Sequence, residues 1–386
     1  MPATRPLRRE RAVLAGLCRD SRYRLEVEEH LQELGLLAET AGAEVVGRLI
    51  QERGAPHPAT LLRRGKVEEL AGLAREGGAG LAIFDEDLSP AQVRNLEATL
   101  SLRVLDRSAL ILDIFAARAR TREARTQVEL AQLRYLLPRL TRQWRHLSRQ
   151  EGGIGQRGVG ETQLELDRRL VRRRIARLSA DLERIEKERT EQRKRRRPER
   201  RVALIGYTNA GKSTIINLMT GAGTFVEDRL FATLDPLVRR CARGGRPAFL
   251  LIDTVGFIRK LPHHLVASFR STLEETADAD LLLEVVDAGS EAVADHLRTT
   301  RDTLRDLGLA DRPRLTVFNK IDRAAPPILA RLRAEHPDAV FMSALEPVHA
   351  DRLEKRLRAA LDRTEGAALP EPTGEAVVIA AGGDAR

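Results

Sequence analysis

Nine consecutive residues, Gly206-Tyr207-Thr208-Asn209-Ala210-Gly211-Lys212-Ser213-Thr214, match GxxxxGK[ST] and sit between an apolar run, Arg201–Ile205, and a helical pattern at Ile215, Ile216, Leu218 and Met219. A strand, a glycine-rich turn and a helix start are what phosphate binding needs. Backbone N–H groups and the helix N-terminus cradle the phosphate oxygens, Lys212 is placed to neutralise the β and γ phosphates, and the Ser213 hydroxyl to ligate Mg2+. Thr214 is placed to reach the α-phosphate. A second run, Phe249–Ile252, leads into Asp253-Thr254-Val255-Gly256, a DxxG step in which Asp253 would hold the Mg2+ shell and the Gly256 N–H would meet the γ-phosphate. Between the two lies Leu230–Pro236, whose Thr233 is 21 residues past Lys212 and suited to coordinate Mg2+ through its hydroxyl. Thr224 lies too close to the first helix to fold back over a nucleotide.

A base-recognition element follows the predicted strand Arg314–Phe318, namely Asn319-Lys320-Ile321-Asp322. The Asp322 carboxylate can accept two hydrogen bonds from guanine N1–H and its exocyclic amine, a pair that adenine does not offer, while Lys320 packs along the nucleotide and the phosphate loop. GTP and GDP are therefore the expected ligands, rather than ATP. Val340–Ala344 adds one more strand and a Ser343-Ala344 step whose backbone N–H would face guanine O6, though Leu345-Glu346-Pro347 lack the customary lysine and glycine. Five motifs in this order, each at the carboxyl end of a predicted strand, define a nucleotide-binding α/β domain.

These motifs occupy less than half of a chain of 386 residues, 42% apolar and 32% charged, a folded composition long enough for two or three domains. No stretch of about 18 apolar residues could span a bilayer, and the N-terminus lacks a secretory apolar core, so a cytoplasmic location is expected. Cys18 and Cys241 are far apart, outside any CxxC, and are expected to be free thiols. The charge is uneven. Residues 107–201 carry 27 Lys and Arg against 13 Asp and Glu, net +14, whereas the segments on either side are each at −2. Clustered cations of this kind favour a polyanion, because binding releases condensed counterions.

Residues 1–107 read as an α/β subdomain: an apolar patch at 12–18, a helix through Leu25, Leu31 and Leu34, a strand at 43–49 and a helix around 67–73. A strand at 80–84, a helix opened by Ser89-Pro90 and a strand at 102–105 complete it. From 108 to 198 the period is helical. Leu130, Leu133, Leu137, Leu140, Trp144 and Leu147 alternate in steps of three and four, and Leu164, Val171, Ile175, Leu178, Leu182 and Ile185 form a second heptad seam. Residues 152–160 between them hold five glycines, which no helix would retain, so an antiparallel coiled-coil hairpin with a glycine-rich tip is expected. Pro138 should kink or split the first arm. The basic run Gln192–Arg201 marks a junction, the G domain is expected over 199–365, and 366–386 is a short tail.

The order of the motifs resembles a translation-factor-type GTPase, and the arm narrows the resemblance to the HflX family. Gly152–Arg169 resembles that family's signature loop, with Gln156 and Val159 in place of its usual threonine and proline, and Phe84–Asn95, Gln127–Leu140 and Leu230–Pro236 are similar to it as well. The resemblance covers nearly the whole chain apart from its ends. It implies an N-terminal α/β subdomain, a helical hairpin and a P-loop GTPase domain. The implied protein is a monomer that binds the 50S ribosomal subunit and its 23S rRNA and separates stalled or idle 70S ribosomes. Residues 364–386 are too short for a substantial further domain. The family is also linked to adenine nucleotides through its N-terminal region, yet 1–107 contain no phosphate loop.

On this reading GTP orders Thr233 and Gly256, and Lys212, Thr233 and Gly256 carry the hydrolysis. Arg157 and the tip glycines Gly153, Gly155, Gly158 and Gly160 meet RNA phosphates and backbone. Phe257 follows DxxG where many GTPases place a glutamine, so hydrolysis should be slow until a partner orders the loops. Asn209 either holds a K+ ion in the manner of some GTPases or is a plain loop-capping asparagine. Two other readings stand beside this one: a GTP-dependent switch whose coiled coil binds a protein, and an RNA-remodelling ATPase, which Asp322 disfavours.

Overall fold

Strand β1 (Glu10–Cys18) is buried without interruption from Ala12 to Cys18, as expected of a strand in a parallel sheet covered on both faces. In this computed structural model the described residues are 9–52, 54–140, 163–195, 199–221, 230–231, 237–242, 246–260 and 276–364. The chain forms two compact units. The first comprises 1–195 with 229–234 and 259–270, and the second 196–228, 235–258 and 271–386.

In the first unit β1 pairs in parallel with β2 (Ala43–Glu52) and β3 (Leu81–Phe84), and β3 with β4 (Arg103–Asp106), giving the order β2-β1-β3-β4. Helices α2 (Arg64–Gly77) and α3 (Pro90–Leu100) cover one face, where Val67, Leu70 and Leu96 meet Val13, Ala15, Ala82 and Phe84. Helix α3 starts where the Ser89-Pro90 pair requires, with Ser89 and Gln92 forming a reciprocal capping box. Helix α1 (Arg24–Thr40) lies so close over β1 that a Cβ on Gly16 would be 3.2 Å from Leu31.

The sequence pattern groups residues from 108 onward with the hairpin. The structure instead ends a separate helix, α4 (Arg107–Arg118), before the arm begins, and buries Leu110, Ile111, Leu112, Ile114 and Phe115. A helix apolar on so many sides belongs to a core, so the arm starts at α5 (Arg122–Leu136). A single 3-10 turn, Leu137–Arg139, follows, as Pro138 requires. Helix α6 (Gln163–Arg195) returns antiparallel to α5: Arg168 donates to the Leu140 carbonyl at 2.9 Å and Arg174 pairs with Glu129 at 2.7 Å. Seam residues Leu130, Leu140 and Leu178 are buried. The tip 152–160, including Gly153, Gly155, Arg157, Gly158 and Gly160, lies outside the described residues, as do Trp144, Leu147 and 366–386.

The second unit holds a six-stranded sheet in the order β10-β9-β8-β5-β7-β6. Strands β5 (Arg200–Ile205), β7 (Phe249–Asp253), β8 (Leu281–Asp287), β9 (Arg314–Asn319) and β10 (Val340–Phe341) run parallel, and the edge strand β6 (Leu237–Cys241) pairs antiparallel with β7. Helices α7 (Lys212–Thr220) and α10 (His349–Arg363) pack Ile215, Met219, Leu353 and Leu357 on one side. Helices α8 (Val293–Asp306) and α9 (Pro326–Glu335) pack Val293, Leu297 and Leu332 against Val286 and Phe318 on the other. Among the described residues no helix is long and apolar enough to cross a membrane, and Cys18 and Cys241 are free and buried.

One fully buried carboxylate ties the first unit's sheet to its helical arm. Asp106, at the end of β4, accepts from Ala109 N at 2.8 Å, Leu88 N at 3.2 Å, the Tyr135 hydroxyl at 2.8 Å and Arg139 at 3.1 Å. The Arg139 guanidinium also lies 3.5 Å over the Tyr135 ring. Asp106→Ala removes the acceptor shared by four donors, of which Arg139 keeps others, the carbonyls of Tyr135 and Leu88, and should lower the first unit's stability by about 3–5 kcal/mol. Amide exchange protection of β1, β3 and β4 against urea measures this, and Asp106→Asn should lose less.

Candidate functional site

The carboxyl ends of β5, β7, β8, β9 and β10 lie at one edge of the second sheet, and the predicted motifs follow them there. Gly206 leaves β5 at φ +139°, so close to β8 that a Cβ would meet the Val285 carbonyl oxygen at 2.1 Å. Only glycine fits. Gly211 caps α7 at φ +94°, where a Cβ would lie 2.2 Å from Asn319 Nδ2. Thr208 and Ala210 are buried in the loop, while Asn209 is exposed at φ +59°. Ser213 and Thr214 occupy the first turn of α7.

Lys212 is buried and its Nζ donates to the carbonyls of Gly206 at 3.1 Å and Tyr207 at 2.9 Å. Burial pushes its ammonium down to about 8, against the pull of Asp253 and with help from Lys320. Ser213 Oγ donates to Asp253 Oδ2 at 2.6 Å. Two hard oxygen donors are thereby side by side, a set suited to Mg2+. Thr254 is buried and its hydroxyl donates to the Leu204 carbonyl at 2.5 Å, which fixes the start of the DxxG turn on β5. Val255 is buried alongside it. A Cβ on Gly256 would stand 2.6 Å from Thr208 Cα and 3.0 Å from Lys212 Nζ. Thr233 lies outside the described residues.

Two arrangements were not legible from the motifs. Phe257 joins the phosphate loop through its backbone: its N–H donates to Gly206 O at 3.1 Å and its carbonyl accepts from Thr208 N at 2.7 Å. Asp287, at the end of β8, pairs with Lys320 Nζ at 2.8 Å, and that ammonium also donates to Asn209 O at 2.7 Å. The only sequence signal for the second was an acidic residue closing a strand that is apolar but for Glu284. Lys320 itself adopts φ +59°. Asp322 follows in an exposed turn.

The sequence places a backbone N–H of the Ser343-Ala344 step against guanine O6; in the structure the Ala344 N–H donates to Asn319 Oδ1 at 2.9 Å. The reason is burial: Asn319 is 1% exposed, its Nδ2 is spent on the Ala210 carbonyl at 2.9 Å, and its oxygen needs a donor too. The Ser343 N–H likewise meets His349 Nδ1 at 3.2 Å. One carboxamide therefore braces the phosphate loop against the loop after β10. Asn319→Ala leaves two buried backbone groups unpaired and should cost about 2–5 kcal/mol. Urea unfolding of the second unit is the measurement, and Asn319→Asp, which keeps only the acceptor, should fall between.

Comparison with known proteins agrees with this geometry. Three family models match, described as GTP-binding GTPase N-terminal over 28–116, GTP-binding GTPase Middle Region over 118–196 and 50S ribosome-binding GTPase over 201–320. The chain is 50% identical over 313 residues to GTPase HflX of Flavobacterium psychrophilum, covering 81% of this chain and 76% of that one. It is 48% identical over 320 residues to GTPase HflX of Escherichia coli K12, covering 82% and 75%. The crystal structure of the SsGBP and GDP complex superposes with a TM-score of 0.51 at 25% identity, covering 92% of this chain and 99% of that one. A phosphate loop, a DxxG turn and an NKxD loop at one sheet edge, on a chain matched over most of its length, place this protein in the HflX family of P-loop GTPases, which bind and hydrolyse GTP.

Proposed function

We propose that this GTPase docks on the large (50S) ribosomal subunit through its helical arm, contacts 23S rRNA there, and hydrolyses GTP as it separates stalled or idle 70S ribosomes. The supporting observation is the +14 charge of residues 107–201, of which the antiparallel pair α5 and α6 carries +6. Arg168, Arg169 and Arg172 of α6 line a pocket of about 360 Å3 together with Glu165. Arg157 and the glycines of the tip meet RNA phosphates and backbone. Seam leucines Leu130, Leu140 and Leu178 are buried and so unavailable to a protein partner, which favours RNA over the protein-binding switch. The protein acts as a cytoplasmic monomer.

In the G domain, 199–365, the amides of 206–211 and the start of α7 receive the phosphates, and Lys212 balances their charge. Ser213 and Asp253, with Thr233, hold Mg2+, which screens the phosphate oxygens when bound. Gly256 senses the terminal phosphate, and Asp322 selects guanine by accepting two hydrogen bonds. Asn319 and Ser343–Ala344 shape the base pocket, and Asn209 is the K+ ligand if one is used. Without a glutamine at Phe257 the attacking water lacks an orienting amide, so the free protein should turn over slowly.

Two measurements test this reading. GTPase rates with and without 50S subunits should differ severalfold or more, and pelleting with subunits should weaken steeply with salt in the GTP-analogue state; equal rates, or binding indifferent to salt, would overturn it. The second concerns Lys212, whose ammonium near pKa 8 must be charged to meet phosphate. Below pH 8 it is already protonated; above it, nucleotide binding takes up a proton, and affinity should fall by up to about tenfold per pH unit. Calorimetry at pH 8.5 in buffers of different ionisation enthalpy reads the uptake, and Lys212→Met abolishes it.

A further inference from the structure

The return from β10 to α10, residues 343–348, is held by little apolar packing. Leu345 is 72% exposed and Val348 75%, although both side chains are large and apolar. Two turns fold the segment: the Glu346 N–H donates to the Ser343 carbonyl at 3.1 Å, and the His349 N–H to the Glu346 carbonyl at 3.2 Å. Val348 stands at the N-cap of α10 and supplies no side-chain hydrogen bond there. Position is therefore set by two side chains outside the segment. Asn319 accepts from the Ala344 N–H at 2.9 Å, and His349, the first residue of α10, places Nδ1 3.2 Å from the Ser343 nitrogen.

The same Nδ1 is 3.2 Å from the Ser343 carbonyl oxygen, so the ring can either accept from the N–H or donate to the carbonyl, according to its tautomer. Satisfaction decides between them. The carbonyl already accepts from Glu346, whereas among the described residues His349 is the acceptor available to the Ser343 N–H. Ser343 is 1% exposed, and a buried N–H without an acceptor is costly. Nδ1 therefore accepts and the ring proton sits on Nε2. Glu346 Oε2 stands 3.6 Å from Nδ1, too far for a hydrogen bond. An imidazole thus closes a loop that reads Leu345-Glu346-Pro347 where a lysine and a glycine are customary.

These bonds sort three consecutive backbone donors. Ser343 is committed to His349 and Ala344 to Asn319, while among the described residues the Leu345 N–H has no acceptor. We propose that His349 is a positioning residue for guanine recognition: it fixes Ser343, the first residue of the 343–346 turn, so that the Leu345 N–H is presented to guanine O6. The proposal rests on the reading of Asp322 and the Ser343–Ala344 step as walls of the base pocket. His349 acts through the Ser343 backbone and need not touch the nucleotide. A turn tied at its first two residues has little freedom left to lose when the base arrives, so the bond to O6 forms at small entropic expense. Without the imidazole the turn keeps only the Asn319 anchor, and the donor for O6 is no longer held in place.

The test uses the full-length protein with three nucleotides: GDP, inosine diphosphate, which lacks the exocyclic amine, and 6-thioguanosine diphosphate. The last keeps both groups that face Asp322 but carries a weakly accepting sulfur in place of O6. His349→Ala should weaken GDP by roughly three- to tenfold and the thio analogue much less, so that their affinity ratio falls, while the ratio of GDP to inosine diphosphate stays as in the wild type. His349→Asn, whose Oδ1 can stand where Nδ1 stood, should recover most of the first ratio. Equal losses for all three nucleotides reduce His349 to an element of the fold and overturn the proposal. In the unaltered protein, residue-resolved amide exchange should show Ser343 and Ala344 protected with or without GDP and Leu345 protected only with it; Leu345 exchange indifferent to GDP overturns the proposal without any variant. Asp322→Ala separates the two readings: if it leaves the ratio of GDP to inosine diphosphate unchanged, the base-pocket reading fails, whereas loss of that ratio with an unchanged thio ratio in His349→Ala removes the role of His349 alone.

Discussion

The Asn319 carboxamide is the contact on which the geometry of the nucleotide site depends. It sits at the carboxyl end of β9, buried, with its nitrogen on the Ala210 carbonyl and its oxygen on the Ala344 N–H. Those bonds set the separation of the phosphate loop from the base loop, and so the length of ligand that spans them. They also dictate sequence nearby. Gly211 has no alternative because a Cβ would fall 2.2 Å from the Asn319 nitrogen, and the loop can approach β9 only because glycine is there. Lys320, the next residue, repeats the connection on the outside by joining Asn209 O to Asp287.

Both sheets gather polar residues at the carboxyl ends of their strands, but they use that edge differently. In the second, glycine turns expose backbone N–H groups, the chemistry that receives anions. In the first, the strand ends carry Asp85 and Asp106, and the residue after Asp106 is Arg107, which satisfies Asp85 while Asp106 caps α4. The edge is therefore anionic and answered by cations from the chain itself. Asp106 also holds Tyr135 and Arg139, so the end of α5 is fixed to β4 by a network whose loss would strand several buried groups.

How much of this could be read from the sequence follows the range of the interactions. The phosphate loop, the DxxG turn and the NKxD loop are local, and their chemistry is written in consecutive residues. The hairpin was legible because a heptad seam is also local, and Pro138 predicts the break after Leu136. Strand order in the first sheet was not, since four apolar runs do not say which neighbour each takes. Helix α4 was misassigned to the arm because its 3.6-residue period continues that of α5, and only burial of Ile111 and Phe115 distinguishes a core helix from an arm. The second role of Asn319 was hidden for another reason: its partners are backbone groups, which leave no mark on residue type.

Backbone strain marks the places where such invisible contacts matter. Among the described residues, six that are not glycine have positive φ, and four of them, Asn209, Phe231, Lys260 and Lys320, fall in or beside the nucleotide motifs. Each conformation costs about 1–2 kcal/mol and persists only where neighbours compensate. Lys320 and Asn209 compensate one another through a single hydrogen bond, which makes the phosphate loop and the base loop a mutually strained pair. Phe231 and Lys260 are held by Phe115 and Asp85, residues more than a hundred positions earlier in the chain.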